Sequence, residues 1–195
     1  PDHPDEAFIT RGVMSSVLCR AASRLTRRQV PLSAARMGSR GIHAEARLAD
    51  LGYVLPEVSG PKGSYRLITR DGNLIYTAGH LPQPATGDLI TGKVGADVSV
   101  EEGTAAAKVV ALSMLATMKA ELGDLDRIEQ LIKVVGFVNC VDGFSQQPAV
   151  INGFSDTMAE VLGSKGIHSR SAVGTNALPL DVPCEVEAIF RVADS

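Results

Sequence analysis

Residues 184–192, CEVEAIFRV, place an apolar side chain at every second position. Glu185, Glu187 and Arg191 stand at alternate positions between them. Successive side chains of a β-strand point to opposite faces of a sheet, so this pattern predicts a strand with one face in a core and the other carrying charge. A sheet of that kind needs helices or a second sheet against its apolar face.

Two segments predict helices that supply this cover. In residues 99–122, Ser99 and Glu102 fit a capping box, and Gly123 suits the C-terminal cap. The apolar stripe of this helix consists of Val109, Leu112, Leu115, Ala116, Met118 and Leu122. Residues 144–162 also repeat apolar side chains at helical spacing. Each stripe needs a sheet or another helix to cover it.

Further runs predict the remaining strands. Residues 65–70 and 74–78 are β-rich and flank the tripeptide DGN, which is a strong hairpin signal. Residues 131–141 form a continuous apolar run typical of a buried strand, and residues 169–173 predict one more. Residues 82–98, rich in proline, glycine and threonine, predict a loop with at most one short strand.

These elements predict the fold class. Their order is β-β-(β)-α-β-α-β-β, preceded by a short helix and a linker in HAEARLADLGYVLPEV. Two helices on one face of a mixed sheet make an α+β domain. The other face of the sheet stays uncovered within one chain, and Ile189 on that face favours oligomerisation into a closed dimer or ring.

The composition limits the classes of function. With 195 residues, 45% of them hydrophobic, the chain suits one globular domain and an extension. A formal net charge of −3, without blocks of one sign, gives no reason to expect nucleic acid or a membrane surface as a partner. No apolar run approaches the roughly 20 residues that a membrane-spanning helix needs, so we expect a soluble protein.

The cysteines and histidines do not predict a metal site. Cys19, Cys140 and Cys184 are widely spaced, and the four histidines are equally dispersed. Neither set has the spacing of a zinc site or of a disulfide framework. We therefore expect no metal, and we interpret Cys140 and Cys184 as buried thiols that act as small hydrophobic side chains.

We interpret residues 1–44 as an N-terminal extension and residues 45–195 as the folded domain. From Met14 to Ala44 the chain has six arginines and neither aspartate nor glutamate. This composition is typical of a mitochondrial transit peptide, which predicts a mitochondrial location and otherwise a cytoplasmic one. The alternative is a basic arm that is flexible or binds a partner.

Four residues of the domain are candidates for chemistry. Arg170 offers planar, two-pronged recognition of a carboxylate, and Glu185 could orient and activate a water molecule. Tyr65 and Asn152 offer a hydroxyl and an amide group that could align a small polar substrate. The alternative is that Arg170 and one of the glutamates form a cross-strand ion pair worth about 0.2–1 kcal/mol. Taken alone, these residues indicate an acid and an anion site on a sheet.

Several motifs of this chain resemble the Rid family, whose members are also named YjgF or endoribonuclease L-PSP proteins. The motifs are GPKGSY, DGNLIYTAGHLP, INGFS, SRSAVG and LPLDVPCEVEAIFRV, and the resemblance extends over about residues 52–193. It implies a fold like that of chorismate mutase, with two helices behind a mixed sheet. It also implies a homotrimer with inward-facing sheets and a cleft at each subunit interface.

The resemblance implies a hydrolase that deaminates reactive enamines and imines. The substrates would be of the 2-aminoacrylate or 2-iminopropionate type, and the products 2-oxo acids and ammonia, without a cofactor. By this likeness Arg170 would hold the substrate carboxylate and Glu185 would position the water. Tyr65, Asn152, Gly79 and His80 would line the substrate-binding cleft.

The chain departs from the family pattern at three positions, which indicates a divergent subgroup. Ala78 and His80 stand where the family has serine and glutamine, and Ala172 stands where a cysteine is common. One alternative function is a non-catalytic trimer that binds a small 2-oxo acid as a sensor or partner of another enzyme. RNA cleavage or inhibition of translation, implied by the family's older name, is opposed by the composition, because residues 45–195 lack a basic stripe with interleaved aromatic residues.

Overall fold

The computed structural model describes residues 43–194, and the predicted targeting segment and Cys19 lie outside them. The helices and strands, in chain order, are α1 (Ala44–Asp50), β1 (Ile68–Asp71), β2 (Leu74–Thr77), α2 (Val100–Leu122), β3 (Ile128–Asn139), α3 (Gln147–Leu162), β4 (Ser169–Thr175) and β5 (Cys184–Val192). Among these residues no helix combines the length and the apolar character needed to cross a bilayer.

The five strands form one mixed sheet. Their order is β1-β2-β5-β3-β4, and only the β3–β4 pair is parallel. Helices α2 and α3 pack side by side behind the sheet. At Gly136 on β3, a Cβ atom would come within 2.7 Å of the Ile151 side chain of α3, so this glycine allows the helix to lie close to the sheet. The predicted α+β class, with two helices on one face of a mixed sheet, is confirmed.

The long helix α2 has the predicted caps and part of the predicted buried face, since Leu115, Ala116, Met118 and Leu122 are buried as expected. The Ser99 hydroxyl accepts a hydrogen bond from the Glu102 N–H, the Glu102 carboxylate accepts one from the Ser99 N–H, and Gly123 has φ 78°. The fully buried residues include Ala106, Ala107, Val110, Ala111, Met114, Leu115 and Met118, whereas Val109 and Leu112 are only partly buried. Choosing the stripe mainly by side-chain size missed Ala106, Ala107 and Ala111. Helix α3 approaches α2 closely at Gly153, where a Cβ atom would overlap the Thr104 carbonyl oxygen.

Strand β5 has the predicted alternation. Every second residue of this strand is apolar and buried, namely Cys184, Val186, Ala188, Phe190 and Val192. The opposite face of the sheet carries Tyr76, Val135, Phe137, Val173, Glu185, Glu187 and Ile189. Tyr76 and Val173 are 40% and 44% exposed, which is high for large apolar side chains on a sheet. A partner subunit on this face, and the homotrimer, stay predictions.

Several boundaries differ from the sequence-based expectation. Strand β1 begins at Ile68 instead of residue 65, because the Tyr65 N–H is bonded to the Gly63 carbonyl in a turn. Helix α3 begins at Gln147 instead of residue 144, with a proline in its first turn. Within the described chain, residues 82–98 contribute no strand to the sheet, and Val94 only bridges to Val98 and Cys140.

Both described cysteines are buried free thiols, as predicted. Cys184 is fully enclosed, and this burial raises the pKa of its thiol to about 12. The thiolate is the nucleophilic form of cysteine, so Cys184 is a packing residue rather than a candidate nucleophile.

Candidate active site

Glu185 lies at the start of β5, on the uncovered face of the sheet. The cleft around it is lined by Tyr65, Arg66, Thr69, Tyr76, Thr77, Ala78, Gly79 and Pro179. The carboxylate lies so close to Gly79 that a Cβ atom at position 79 would overlap it. Burial, and secondly the negative charge of Glu187, raise the pKa of Glu185. A half-buried carboxyl group with a raised pKa is suited to accept a proton from a bound water molecule.

Gly79→Ala is expected to lower the free energy of unfolding by about 0.5–1.5 kcal/mol, because the added methyl group must displace the end of the Glu185 side chain from its rotamer. The backbone of Gly79 is not in the left-handed region, so the effect is steric only. The matched control is Gly79→Ala combined with Glu185→Ala, which removes the atoms that the methyl group would meet. Denaturant unfolding of both single variants and the double variant gives the coupling free energy between positions 79 and 185. Additive changes in the free energy of unfolding would show that Gly79 does not provide the space for Glu185.

A strained loop closes one side of this cleft. Leu180 and Asp181 have φ values of 57° and 54°, in the left-handed region that costs a non-glycine residue about 1–3 kcal/mol. The Asp181 carbonyl accepts a hydrogen bond from the Gly92 N–H at 2.7 Å, and its carboxylate accepts one from the Asn139 amide at 3.1 Å. These bonds hold Pro179 against the Glu185 cleft and Leu180 against a neighbouring cavity. Strain of this kind accumulates at functional sites.

Arg170 lies on the other face of the sheet, towards α3. Its Nη1 donates to the Asn152 side-chain oxygen at 3.1 Å and to the Ser155 hydroxyl at 2.9 Å. Its Nη2 donates to the Pro148 carbonyl at 3.1 Å. Within the described part of the chain, these bonds use three of the five N–H donors of the guanidinium group, which leaves two for a ligand.

His168 supports this arrangement through Ser155. Its Nδ1 lies 2.6 Å from the Gly166 carbonyl, which can only accept, so Nδ1 carries the hydrogen in the neutral ring. Its Nε2, 3.0 Å from the Ser155 hydroxyl, then accepts from that hydroxyl. Burial lowers the pKa of His168 and favours this neutral form; the bond to the Gly166 carbonyl partly opposes the shift, and the positive charge of Arg170 adds to it. Ser155 thus turns its oxygen towards Arg170.

Register separates the candidate residues into two groups. Arg170 pairs with the fully buried Val134 of β3, whereas Glu185 pairs with Phe137, three residues further along the strand. Side chains three positions apart point to opposite faces, so Arg170 and Glu185 cannot form the cross-strand ion pair considered above. Asn152 accompanies Arg170, while Tyr65 and Gly79 accompany Glu185.

His80 belongs neither to the residues around Arg170 nor to those that line the Glu185 cleft. It is only 6% exposed, its Nδ1 donates to the Ala78 carbonyl at 2.8 Å, and the Thr117 hydroxyl donates to its Nε2 at 3.0 Å. Burial lowers the pKa of His80, and the bond to Ala78 only partly opposes this. His80 is therefore a neutral residue in the wall of the cavity next to the cleft.

The sequence analysis missed Ser155, His168 and the Pro148 carbonyl. A signal for Ser155 was present, because residues three apart on a helix share a face and Asn152 was already a candidate. The motif GIHSR also places His168 two residues from Arg170. Side chains two apart on a strand lie on one face, which would have predicted their proximity.

Comparisons with known proteins agree with this architecture. A family model described as "YjgF/chorismate mutase-like, putative endoribonuclease" matches residues 45–192. Protein TCP17 of Trypanosoma cruzi is 39% identical over 148 residues, which are 75% of this chain and 92% of that protein.

Two solved structures are also similar. The protein Atu1372 of Agrobacterium tumefaciens, of unknown function, has 41% identity and a TM-score of 0.71, covering 77% of this chain and 94% of that one. A putative endoribonuclease from Shewanella oneidensis has 32% identity and a TM-score of 0.74, and the match covers 76% of this chain and 99% of that one. The match across most of the domain, in sequence and in fold, places this chain in the YjgF/chorismate-mutase-like family, which is the Rid family.

Proposed function

We propose that the protein hydrolyses reactive enamines and imines derived from amino acids to 2-oxo acids and ammonia. The observation that carries this proposal is that one domain contains both a fixed cation, with two donors unused among the described residues, and a half-buried carboxylate whose pKa is raised. The first suits a substrate carboxylate, and the second suits a water molecule at neutral pH.

The proposed reaction needs no cofactor. An enamine such as 2-aminoacrylate becomes the iminium form of the 2-imino acid directly when its methylene carbon takes a proton. Glu185 accepts a proton from water as the water oxygen bonds to the imine carbon. The proton then passes to the nitrogen, and the carbon–nitrogen bond breaks as ammonia leaves. Glu185 takes the hydroxyl proton as the carbonyl forms and passes it to ammonia, which gives ammonium ion. Iminium ion and water thereby become 2-oxo acid and ammonium ion, so atoms and charge balance.

Each site would need two copies of the chain. Arg170 and Glu185 lie on opposite faces of one sheet, so a small substrate cannot reach both within a single subunit. The uncovered face with Tyr76, Val173 and Ile189 offers the apolar surface on which a second copy could bind. We therefore assign Arg170 and Asn152 of one subunit, and Glu185, Tyr65 and Gly79 of its neighbour, to each cleft of a homotrimer.

The direct test is turnover of 2-aminoacrylate generated enzymatically in the assay. We expect the protein to accelerate pyruvate and ammonia release above the spontaneous rate. Folded protein that gives no acceleration but binds 2-oxo acids saturably would contradict this function and support the non-catalytic alternative. RNA degradation by the same preparation, lost in Glu185→Gln, would indicate the endoribonuclease instead.

His168→Ala is expected to raise KM for the imine about 2- to 10-fold, because a hydrogen bond of about 0.5–1.5 kcal/mol no longer turns Ser155 towards Arg170. In the wild type, KM should also rise as pH falls through the lowered pKa of His168, since protonated Nε2 cannot accept from Ser155.

The readout is KM against pH in both proteins, with His43→Ala as the control. His43 is an exposed histidine paired with Asp126 at 3.1 Å, far from Arg170 in the chain. If His168→Ala kept the acid limb of the KM profile, His168 would not be the positioning residue.

A further inference from the structure

A second cavity adjoins the Glu185 cleft. It has a volume of about 210 Å³ and lies between the segment 56–67, the chain around His80, and α2. Tyr65 and Gly79 line both the cavity and the cleft, and the strained loop contributes Pro179 to one and Leu180 to the other. A molecule whose reacting carbon lies beside Glu185 therefore has this cavity next to it.

The walls of the cavity are largely apolar. Pro56, Val58, Leu67, Leu81, Leu89 and Leu180 contribute to them. An apolar protein cavity of about 150 Å³ already accommodates benzene, so this volume suffices for a side chain as large as an aromatic ring. An alanine-derived imine, with one methyl group, would leave it almost empty.

The segment 56–67 contributes the exposed Glu57, Ser59 and Lys62 to the wall, whereas the polar groups at the α2 end of the cavity leave acceptors rather than donors. The Ser113 hydroxyl donates to the Gln83 carbonyl at 2.9 Å, and the one hydrogen of the Thr117 hydroxyl lies between neutral His80 at 3.0 Å and the Ser113 carbonyl at 3.2 Å. The single N–H of the neutral His80 ring donates to the Ala78 carbonyl. A hydroxyl group has one hydrogen and two lone pairs, so Ser113 and Thr117 can still accept. A ligand group that donates a hydrogen bond fits the α2 end, where neutral His80 provides no partner for a charge.

We propose that this cavity is the side-chain pocket of the candidate active site, selecting 2-imino acids whose bulky, uncharged side chain ends in a hydrogen-bond donor. The inference rests on the proposed function and names its substrate class. A hydrophobic pocket gains about 10- to 200-fold in kcat/KM for each methylene that it encloses. We therefore expect kcat/KM for substrates that fill the pocket to exceed kcat/KM for 2-iminopropionate by at least about tenfold.

The test uses imines generated by an amino-acid oxidase from alanine, leucine, phenylalanine and tyrosine, with catalase present. Wild-type kcat/KM should be at least tenfold higher for the phenylalanine and tyrosine imines than for the alanine imine. Ser113→Phe, which fills the cavity from α2, should reduce that ratio at least tenfold. Val58→Trp fills it from a 43% exposed loop position and serves if the first variant fails to fold. Ser145→Phe, at an exposed position outside the cavity, is the control.

The donor requirement is tested separately. Ser113→Ala removes an acceptor, so it should lower the preference for the tyrosine imine over the phenylalanine imine about 3- to 10-fold.

The outcomes separate the two proposals. Wild-type turnover of all four imines with a ratio that neither filling variant changes would overturn the pocket and leave the proposed function standing. No turnover of any imine would overturn the proposed function. The pocket is then tested by the rise in melting temperature that phenylpyruvate and 4-hydroxyphenylpyruvate cause. An equal rise in the wild type and in the filling variants would overturn the pocket as well.

Discussion

Glu185→Gln is expected to lower kcat for imine hydrolysis by about 10²- to 10⁴-fold, the usual contribution of a positioned general base. Glutamine has nearly the same shape but cannot accept a proton from water. The same variant should have a higher melting temperature than the wild type at pH 8. Loss of activity together with a gain in stability distinguishes a catalytic carboxylate from a structural one, whose removal would destabilise the fold.

The gain in stability follows from the sign of the pKa shift. The folded protein raises the pKa of Glu185, so it binds that proton more tightly than the unfolded chain does. The stability linked to this group is fully present below the unfolded pKa and is lost as pH rises through the folded pKa. Above that range, the ionised carboxylate opposes folding, and a neutral glutamine removes this opposition.

The matched control is Glu187→Gln, two positions further along the same face of β5. Because only the carboxylate of Glu185 can accept the proton, wild-type kcat/KM should fall as pH drops through the pKa of Glu185. Glu187→Gln removes a negative charge that raises this pKa, so the acid limb should move to lower pH. A pH–rate profile that Glu187→Gln leaves in place, together with a less stable Glu185→Gln, would assign the acid limb to another group.

Local signals sufficed to predict β5 and the extent of α2, whereas the apolar periodicity of α2 identified only part of its buried face. The apolar positions of β5 and the caps Ser99 and Gly123 are local signals, and each element formed where its signal predicts. The start of β1 and the buried alanines of α2 depend on tertiary contacts, namely a turn at Gly63 and the close approach of α3. Local patterns carry no information about such contacts.

The candidate site was predictable residue by residue but not as an arrangement. Side-chain chemistry identified Arg170 and Glu185 as anchor and base, yet their opposite faces follow from the pairing register with β3. No single strand sequence contains that register. The space for Glu185 depends in the same way on Gly79, which is distant in sequence and lies against it only in the folded sheet.

Arg170→Ala is expected to raise KM for the imine at least about 30-fold, because truncating one partner of a hydrogen-bonded charge pair costs about 2–5 kcal/mol. Arg170→Lys keeps the charge but loses the planar fork, so it cannot bond Asn152, Ser155 and the Pro148 carbonyl while also holding a carboxylate. We expect KM of Arg170→Lys to lie between the values of the wild type and of Arg170→Ala.

The control for these variants is Arg191→Ala. Arg191 lies on β5 and pairs with Glu129 at 3.2 Å on the surface, and both side chains are about half exposed. Exposed pairs of this kind contribute about 0–1 kcal/mol, so KM should stay within about twofold of the wild type. Equal effects of Arg191→Ala and Arg170→Ala would indicate general electrostatic attraction instead of a specific anchor.

Mixed assembly tests whether the site is shared between subunits. Arg170→Ala subunits retain Glu185, and Glu185→Gln subunits retain Arg170, so a cleft that takes Glu185 from the first and Arg170 from the second contains both intact groups. Each mixed trimer with cyclic symmetry has one such cleft in three, so equal random mixing should restore about a quarter of wild-type activity. Co-expressed variants that remain as inactive as the separate ones would show that Arg170 and Glu185 do not meet across an interface, despite the opposite faces on which β4 and β5 hold them.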